Sequence, residues 1–151
     1  MPKASVTRHI KRDKQKLIDF VLDIEKYPEF IPFCIDSKVY ETKDEVNEIK
    51  IIADLTIGKR PFVDTYKSDV RYDKKNDSIH VTNIDGPLKH LDNKWLFKNN
   101  GENSVIIFNI NFELKNKILN IFMTKSFDFG LKKIADSFEK RANELFNKTK
   151  N

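Results

Sequence analysis

The feature that most constrains this chain is a change of hydrophobic period. Between residues 49 and 114 apolar side chains recur at every second position. From residue 127 onward they recur every third or fourth. Ile49, Ile51, Ala53, Leu55 and Ile57 alternate with Lys50, Ile52, Asp54 and Thr56, which describes a strand with one buried face. The same alternation returns in Phe62, Asp64, Tyr66, Ser68, Val70 and Tyr72, then in Ile79 and Val81. It continues through Leu91, Asn93, Trp95 and Phe97, and through Ile106, Phe108, Ile110, Phe112 and Leu114. Gly58-Lys59-Arg60, the polar run Asp73–Asp77, Gly86-Pro87 and Asn99-Asn100-Gly101 separate these runs. All four are turn-forming, the last because Asn and Gly tolerate positive φ. Phe127, Leu131, Ile134, Phe138, Ala142 and Leu145 then follow at spacings of 4, 3, 4, 4 and 3. That stripe predicts one long amphipathic helix.

The N-terminal part adds a short strand and a helix. Residues 4–10 alternate weakly through Ala4, Val6 and Ile10. Asp13 is placed to cap a helix that buries Leu17, Phe20, Val21 and Ile24. Pro28 predicts its end near Tyr27, because a residue before proline avoids the α region. Strand, helix, antiparallel strands and long helix make an α+β domain with helices on one face of the sheet. The length of 151 residues suits a single domain over 1–151. A sheet wrapped around one helix leaves a space between them, which is either packed solid or kept as a cavity.

Composition removes several classes. Twelve Phe exclude a disordered chain, because disorder goes with few aromatics. One Cys excludes a disulfide scaffold and a Cys-rich zinc site. No apolar run is long enough to span a bilayer as a helix, and Met1–Ile10 holds no secretory h-region. The expected setting is bacterial cytoplasm. His9, His80 and His90 have no metal-ligand spacing, and no phosphate loop or paired-carboxylate motif appears. The expectation is a protein that binds rather than catalyses, with no metal and no cofactor beyond a bound ligand. Cys34 reads as a small hydrophobe, since no motif puts a base beside it.

Three segments carry a resemblance. Tyr27-Pro28-Glu29-Phe30-Ile31-Pro32-Phe33-Cys34 resembles the YPEFLPWC segment of the coenzyme Q-binding START-like family. Gly86-Pro87-Leu88-Lys89-His90-Leu91 with Lys94-Trp95-Leu96-Phe97 resembles its GPFxxLxxxWxF segment. Ala135-Asp136-Ser137-Phe138-Glu139-Lys140-Arg141-Ala142 resembles its terminal helix, which carries AFxxRA. The segments occur in order over nearly the whole chain. Phe33 stands where the family has Trp, and Leu88 where it has Phe. The resemblance implies a helix-grip fold, in which a curved antiparallel sheet grips the C-terminal helix around a hydrophobic cavity. It also implies two kinds of function. Some relatives bind quinone in support of respiration, and others are toxins that bind the large ribosomal subunit and block subunit joining. Both share a superfamily with polyketide cyclases and dehydrases, so a small-ring cyclase or dehydrase is the third reading.

The first reading places ubiquinone or a related lipid in the cavity. The expected lining is Phe33, Leu55, Phe62, Trp95, Phe97, Phe108, Ile110, Phe112, Phe127, Leu131 and Ile134. The expected rim is Tyr27, Pro28, Phe30 and Pro32, a turn that its two prolines stiffen. An isoprenoid tail gains about 0.8 kcal/mol per buried CH₂, and the head needs one or two polar partners. Asp64, Tyr66, Ser68 and Asn93 are the inward polar candidates. Residues 117–130 hold Ile118, Leu119, Ile121, Phe122, Met123, Phe127 and Phe129, more apolar positions than one helical face accommodates. That segment either packs into the open end of the sheet or, beside Lys115, Lys117 and Lys125, touches an anionic membrane. The net charge is +5, and Arg8, Lys11, Arg12, Lys14 and Lys16 form a basic run. It is a solvated face, or a contact for ribosomal RNA or anionic lipid.

Overall fold

The structure, a computed structural model, describes residues 3–59, 62–86, 88–100, 103–117 and 132–144. Seven strands form one antiparallel sheet: β1 (Lys3–Ile10), β2 (Cys34–Asp44), β3 (Glu48–Lys59), β4 (Phe62–Asp73), β5 (Ser78–Asp85), β6 (Leu88–Asn100) and β7 (Asn103–Leu114). Their order across the sheet is β1-β7-β6-β5-β4-β3-β2. β2 to β7 are therefore a meander, and β1 closes the far edge beside β7. Helix α1 (Lys14–Leu22) and a 3-10 turn (Ile24–Glu29) carry the chain from one edge to the other. Residues 132–144 are helical and are called α2. Among the described residues no helix is long and apolar enough to cross a membrane.

The alternation seen in the sequence is the alternation of the sheet. Ile51, Ala53, Val70, Tyr72, Ile79, Phe97 and Ile106 are buried together with Leu17, Ile18, Val21 and Ile24 from the crossing segment and Ala142 from α2. A second cluster, Leu88, Leu91 and Phe112, collects Val6, Tyr66, Phe108, Ile110 and Leu114 on the same face. Facing residues interdigitate because the register keeps odd and even positions on opposite faces.

Three details differ from the sequence reading. The first is β2, which has no period-2 signal. It is an edge strand with most of its residues exposed and register shifts at Cys34/Asp36 and Val39/Glu41, so no apolar face is required of it. The second is the break at Gly58. Lys59 pairs with Phe62, so the connection is residues 60 and 61. Gly58 lies inside β3 opposite Val63, with φ of 124° and its N–H donated to Phe33 O at 2.8 Å.

The third is the end of α1. Asp13 caps the helix as expected, accepting from Lys16 N at 3.3 Å. The helix stops at Leu22, however, and Pro28 sits inside the following 3-10 turn. The Tyr27 hydroxyl folds back and donates to Val21 O, satisfying one of the carbonyls that a helix end leaves without a partner.

Gly86 ends β5 with φ of +125°, and a Cβ there would meet Tyr66 Cα at 2.7 Å. Backbone strain and a steric clash coincide at this position. Gly86→Ala is expected to lose about 2–4 kcal/mol of stability, measured as a lower urea midpoint at unchanged m-value.

Candidate functional site

Helix α2 is fixed to the sheet by an aromatic hub. Phe138 meets four rings: Phe30 at 5.2 Å, Trp95 at 5.2 Å, Tyr27 at 5.5 Å and Phe20 at 5.8 Å between centroids. All four are edge-on, the geometry in which a positive ring edge faces a negative face. Phe20 and Phe30 stack at 5.3 Å. Trp95 also meets Phe108 at 4.6 Å. One turn further along α2, Arg141 pairs with Glu29 at 2.9 Å and lies over the Phe30 ring at 5.7 Å. Ala142 is 1% exposed, and its small side chain lets the helix approach. The three segments that carry the family resemblance thus converge on Phe138 and Arg141.

Beside the hub lies a void of about 40 Å³ between β1, β6, β7 and α2. It is lined by Val6, Arg8, Ile10, Trp95, Ile106, Phe108, Ile134, Ala135, Phe138 and Glu139. That volume exceeds the space of one water but is far below the ~300–1,000 Å³ of ordinary ligand sites. At its wall Arg8 pairs with Asp136 at 2.9 Å and with Glu139 at 3.8 Å. This cation belongs to the basic run, and here it points at α2. Lys14 is likewise engaged, with Asp77 at 2.6 Å.

Of the expected lining, Trp95, Phe108 and Ile134 border the void. Phe97 is buried in the main cluster with Leu55 against it, and Phe112 and Ile110 belong to the second cluster. Phe33 differs from expectation. It is 45% exposed with φ of 68° at the entrance to β2, and its carbonyl is held by Gly58. That backbone turns its ring out of the enclosed space. The side chain of Phe62, and Phe127 and Leu131, lie outside the described residues, as does the apolar segment 118–131. Tyr27 and Phe30 pack the hub, while Pro28 and Pro32 are half-buried around it. The turn therefore acts as a cap that docks α2 more than as an open rim. The expected lining missed Val6, Arg8, Ile10, Ile106, Ala135, Phe138 and Glu139, although Phe138 and Ile106 were placed on apolar faces. The β1 alternation could have found Val6 and Ile10, but a lone cation in a basic run carries no sign that it faces inward.

Cys34 is half-buried, and burial pushes its thiol up to about 11, with Asp36 adding to the effect. Such a thiol is a poor nucleophile at neutral pH. Burial also raises Tyr27 and Tyr66, and each feels the Cys34 group nearby. Among the described residues no group of His, Cys, Asp and Glu is arranged to hold a metal ion.

The chain belongs to the polyketide cyclase/dehydrase and lipid transport family, whose model matches residues 10–139. It is 28% identical over 142 residues to the ribosome association toxin RatA of Rickettsia prowazekii, covering 92% of this chain and 94% of that one. It is 29% identical over 144 residues to the mitochondrial coenzyme Q-binding protein COQ10 of Dictyostelium discoideum, covering 93% and 69% respectively. An 18 kDa protein of Caulobacter crescentus has the same fold at a TM-score of 0.79 and 26% identity, with 97% of this chain and 99% of that one covered. The Zhui aromatase/cyclase from Streptomyces, at 10% identity and a TM-score of 0.73 over 93% of each chain, shares the fold alone. The fold is the START-like helix grip, a curved seven-stranded sheet with a C-terminal helix. Relatives are thus named as binders and toxins, and fold neighbours as cyclases.

Phe138→Ala is expected to cost about 3 kcal/mol and to shift the emission of Trp95, the only tryptophan, to the red. Alkylation of Cys34 by iodoacetamide in the folded protein should rise with a midpoint near pH 11, against the usual 9 in urea. The sign follows from linkage. The folded state holds the thiol proton more tightly, so this contribution to stability is complete below pH 9 and is lost between about 9 and 11.

Proposed function

We propose that the chain is a non-enzymatic carrier of a neutral apolar ligand, ubiquinone or a related isoprenoid lipid, held between the concave sheet face and α2. The observation that carries this reading is the inner face itself. It is lined by aromatic and aliphatic side chains, and its polar groups are mostly bonded to the protein. The Ser68 hydroxyl donates to Ala53 O at 3.1 Å, and Asn93 joins Asn109 O at 3.0 Å and Trp95 Nε1 at 2.9 Å. Such a face favours tails and rings over sugars or phosphates. The relative named for coenzyme Q supports the same class. With a void of about 40 Å³, a ligand of that size has to part α2 from the sheet, so binding and helix docking compete.

The relatives named as ribosome association toxins support a second reading, and the net charge of +5 favours it. The charge is not concentrated where the sequence pattern suggested. Arg8 and Lys14 are ion-paired, leaving Lys11 and Lys16 among the exposed cations of the run. On the convex face Lys43, Lys50, Arg71, His80 and Lys94 stand in register across five strands. Glu41, Glu48, Asp69 and Asp92 pair with three of them, at 3.3 Å for Lys43, 3.8 and 3.2 Å for Arg71, and 2.6 Å for His80. This neutralises most of the row. His80–Asp92 is the one His–carboxylate contact among the described residues, and it faces away from the interior. The cyclase reading therefore has no residue assigned to it.

Protein purified gently from its own cells should carry about one extractable quinone per chain in native mass spectrometry. An empty protein that sediments with large ribosomal subunits would reverse the order of the two readings. Ala135→Trp, which puts an indole into the void, is expected to abolish ligand binding at a cost of about 1–3 kcal/mol. Retained binding in that folded variant would place the ligand elsewhere.

A further inference from the structure

The inward polar groups differ in what they have left to offer. Ser68 and Asn93 are bonded as described. Asn83 gives its amide to Leu88 O and accepts from Leu91 N, both at 3.0 Å. The Tyr72 hydroxyl donates to Asp77 Oδ1 at 3.1 Å, and that of Tyr27 to Val21 O. Asp64 is exposed and accepts from the backbone of Thr65 at 2.8 Å.

Tyr66 is different. It is half-buried in the second cluster beside Leu88, Leu91 and Phe112, and its hydroxyl makes no hydrogen bond among the described residues. Its place is fixed by pairing with Leu55 across β3 and by the Gly86 backbone closing on its Cα. Val6 and Phe108 pack against this cluster and also line the void by α2, so the cluster adjoins the void. Burial and the nearby Cys34 keep the phenol protonated. It is therefore a donor across the physiological range, available to an acceptor that comes to lie beside it. Arg8, the cation at the void, is already engaged by Asp136 and Glu139. A neutral acceptor therefore suits the site better than an anion.

We propose that the Tyr66 hydroxyl donates a hydrogen bond to a carbonyl oxygen of the bound ligand, whose head lies against Leu88, Leu91 and Phe112. This rests on the carrier reading above and names the end of the site that recognises the head. The test compares a decyl-substituted 1,4-benzoquinone with decylbenzene, which has the same tail and no carbonyl, by competition for the full-length protein. Wild type should prefer the quinone by roughly tenfold, the worth of one buried hydrogen bond. Tyr66→Phe should remove that preference while leaving the hydrocarbon affinity unchanged, and Ser68→Ala, whose hydroxyl is already used, should keep it. A full quinone preference in Tyr66→Phe overturns the proposal and leaves the carrier reading standing. A wild type that binds neither probe overturns the carrier reading and this proposal together. Infrared spectra give an independent readout on wild type alone. The carbonyl stretch of the bound quinone should fall relative to quinone in hydrocarbon, and an unshifted band rejects the contact.

Discussion

The structure depends on one side chain meeting four rings. A seven-stranded sheet with one apolar face has to cover that face, and α1 and α2 share the cover, α2 through Phe138. Its partners come from α1, from the 3-10 turn and from β6, so a single residue joins the crossing segment, the sheet and the last helix. Edge-on ring contacts add ~0.5–1.5 kcal/mol each beyond area burial. They are also directional, and they set the angle at which α2 lies. Arg141 on Glu29 and Phe30 then fixes its rotation. The ion pair is partly exposed and contributes little by itself. Its role is geometric.

That arrangement divides the inner face into two parts. The hub lies at one side of the concave face, and the apolar cluster around Tyr66 at another. The void between sheet and helix is small because Phe138 and Ile134 reach into it from α2, and Arg8 with its two carboxylates holds the β1 side. Parting α2 from β1 would break exposed ion pairs before it disturbed the hub. Opening from the β1 side is thus the less costly movement, since solvated charges lose little on separation.

Much of this was legible in the residues. Alternation in β3, β4, β6 and β7 marks the inner face, and the stripe through Ile134, Phe138 and Ala142 marks the side of α2 that meets it. β2 was not legible. An edge strand pairs through its backbone, and backbone bonds leave no trace in side-chain pattern. Gly58 reads as a turn because glycine usually marks one, whereas here its freedom at φ of 124° lets β3 bind Phe33 O. The period alone puts Trp95, Phe108 and Ile134 on the inner face, where they border the void. Phe33 did not, because its orientation is set by a left-handed backbone that no hydrophobic pattern encodes. Arg8 could not be found, since its partners sit on an element more than a hundred residues later in the chain.

The position of β1 has a consequence for how the chain comes to be folded. Among the described residues β1 pairs only with β7, and Ser104 holds Arg12 O across a separation of 92 residues, while Arg141 meets Glu29 across 112. Contacts this distant in sequence slow folding, because the loop must close before they form. During synthesis the meander from β2 to β6 can assemble against α1 while β1 waits unpaired and α2 is still to come. The part of the inner face beside β1 and α2 is the last to be shielded. A nascent chain therefore presents that part of its apolar face to the cell for the several seconds that translation takes to reach α2.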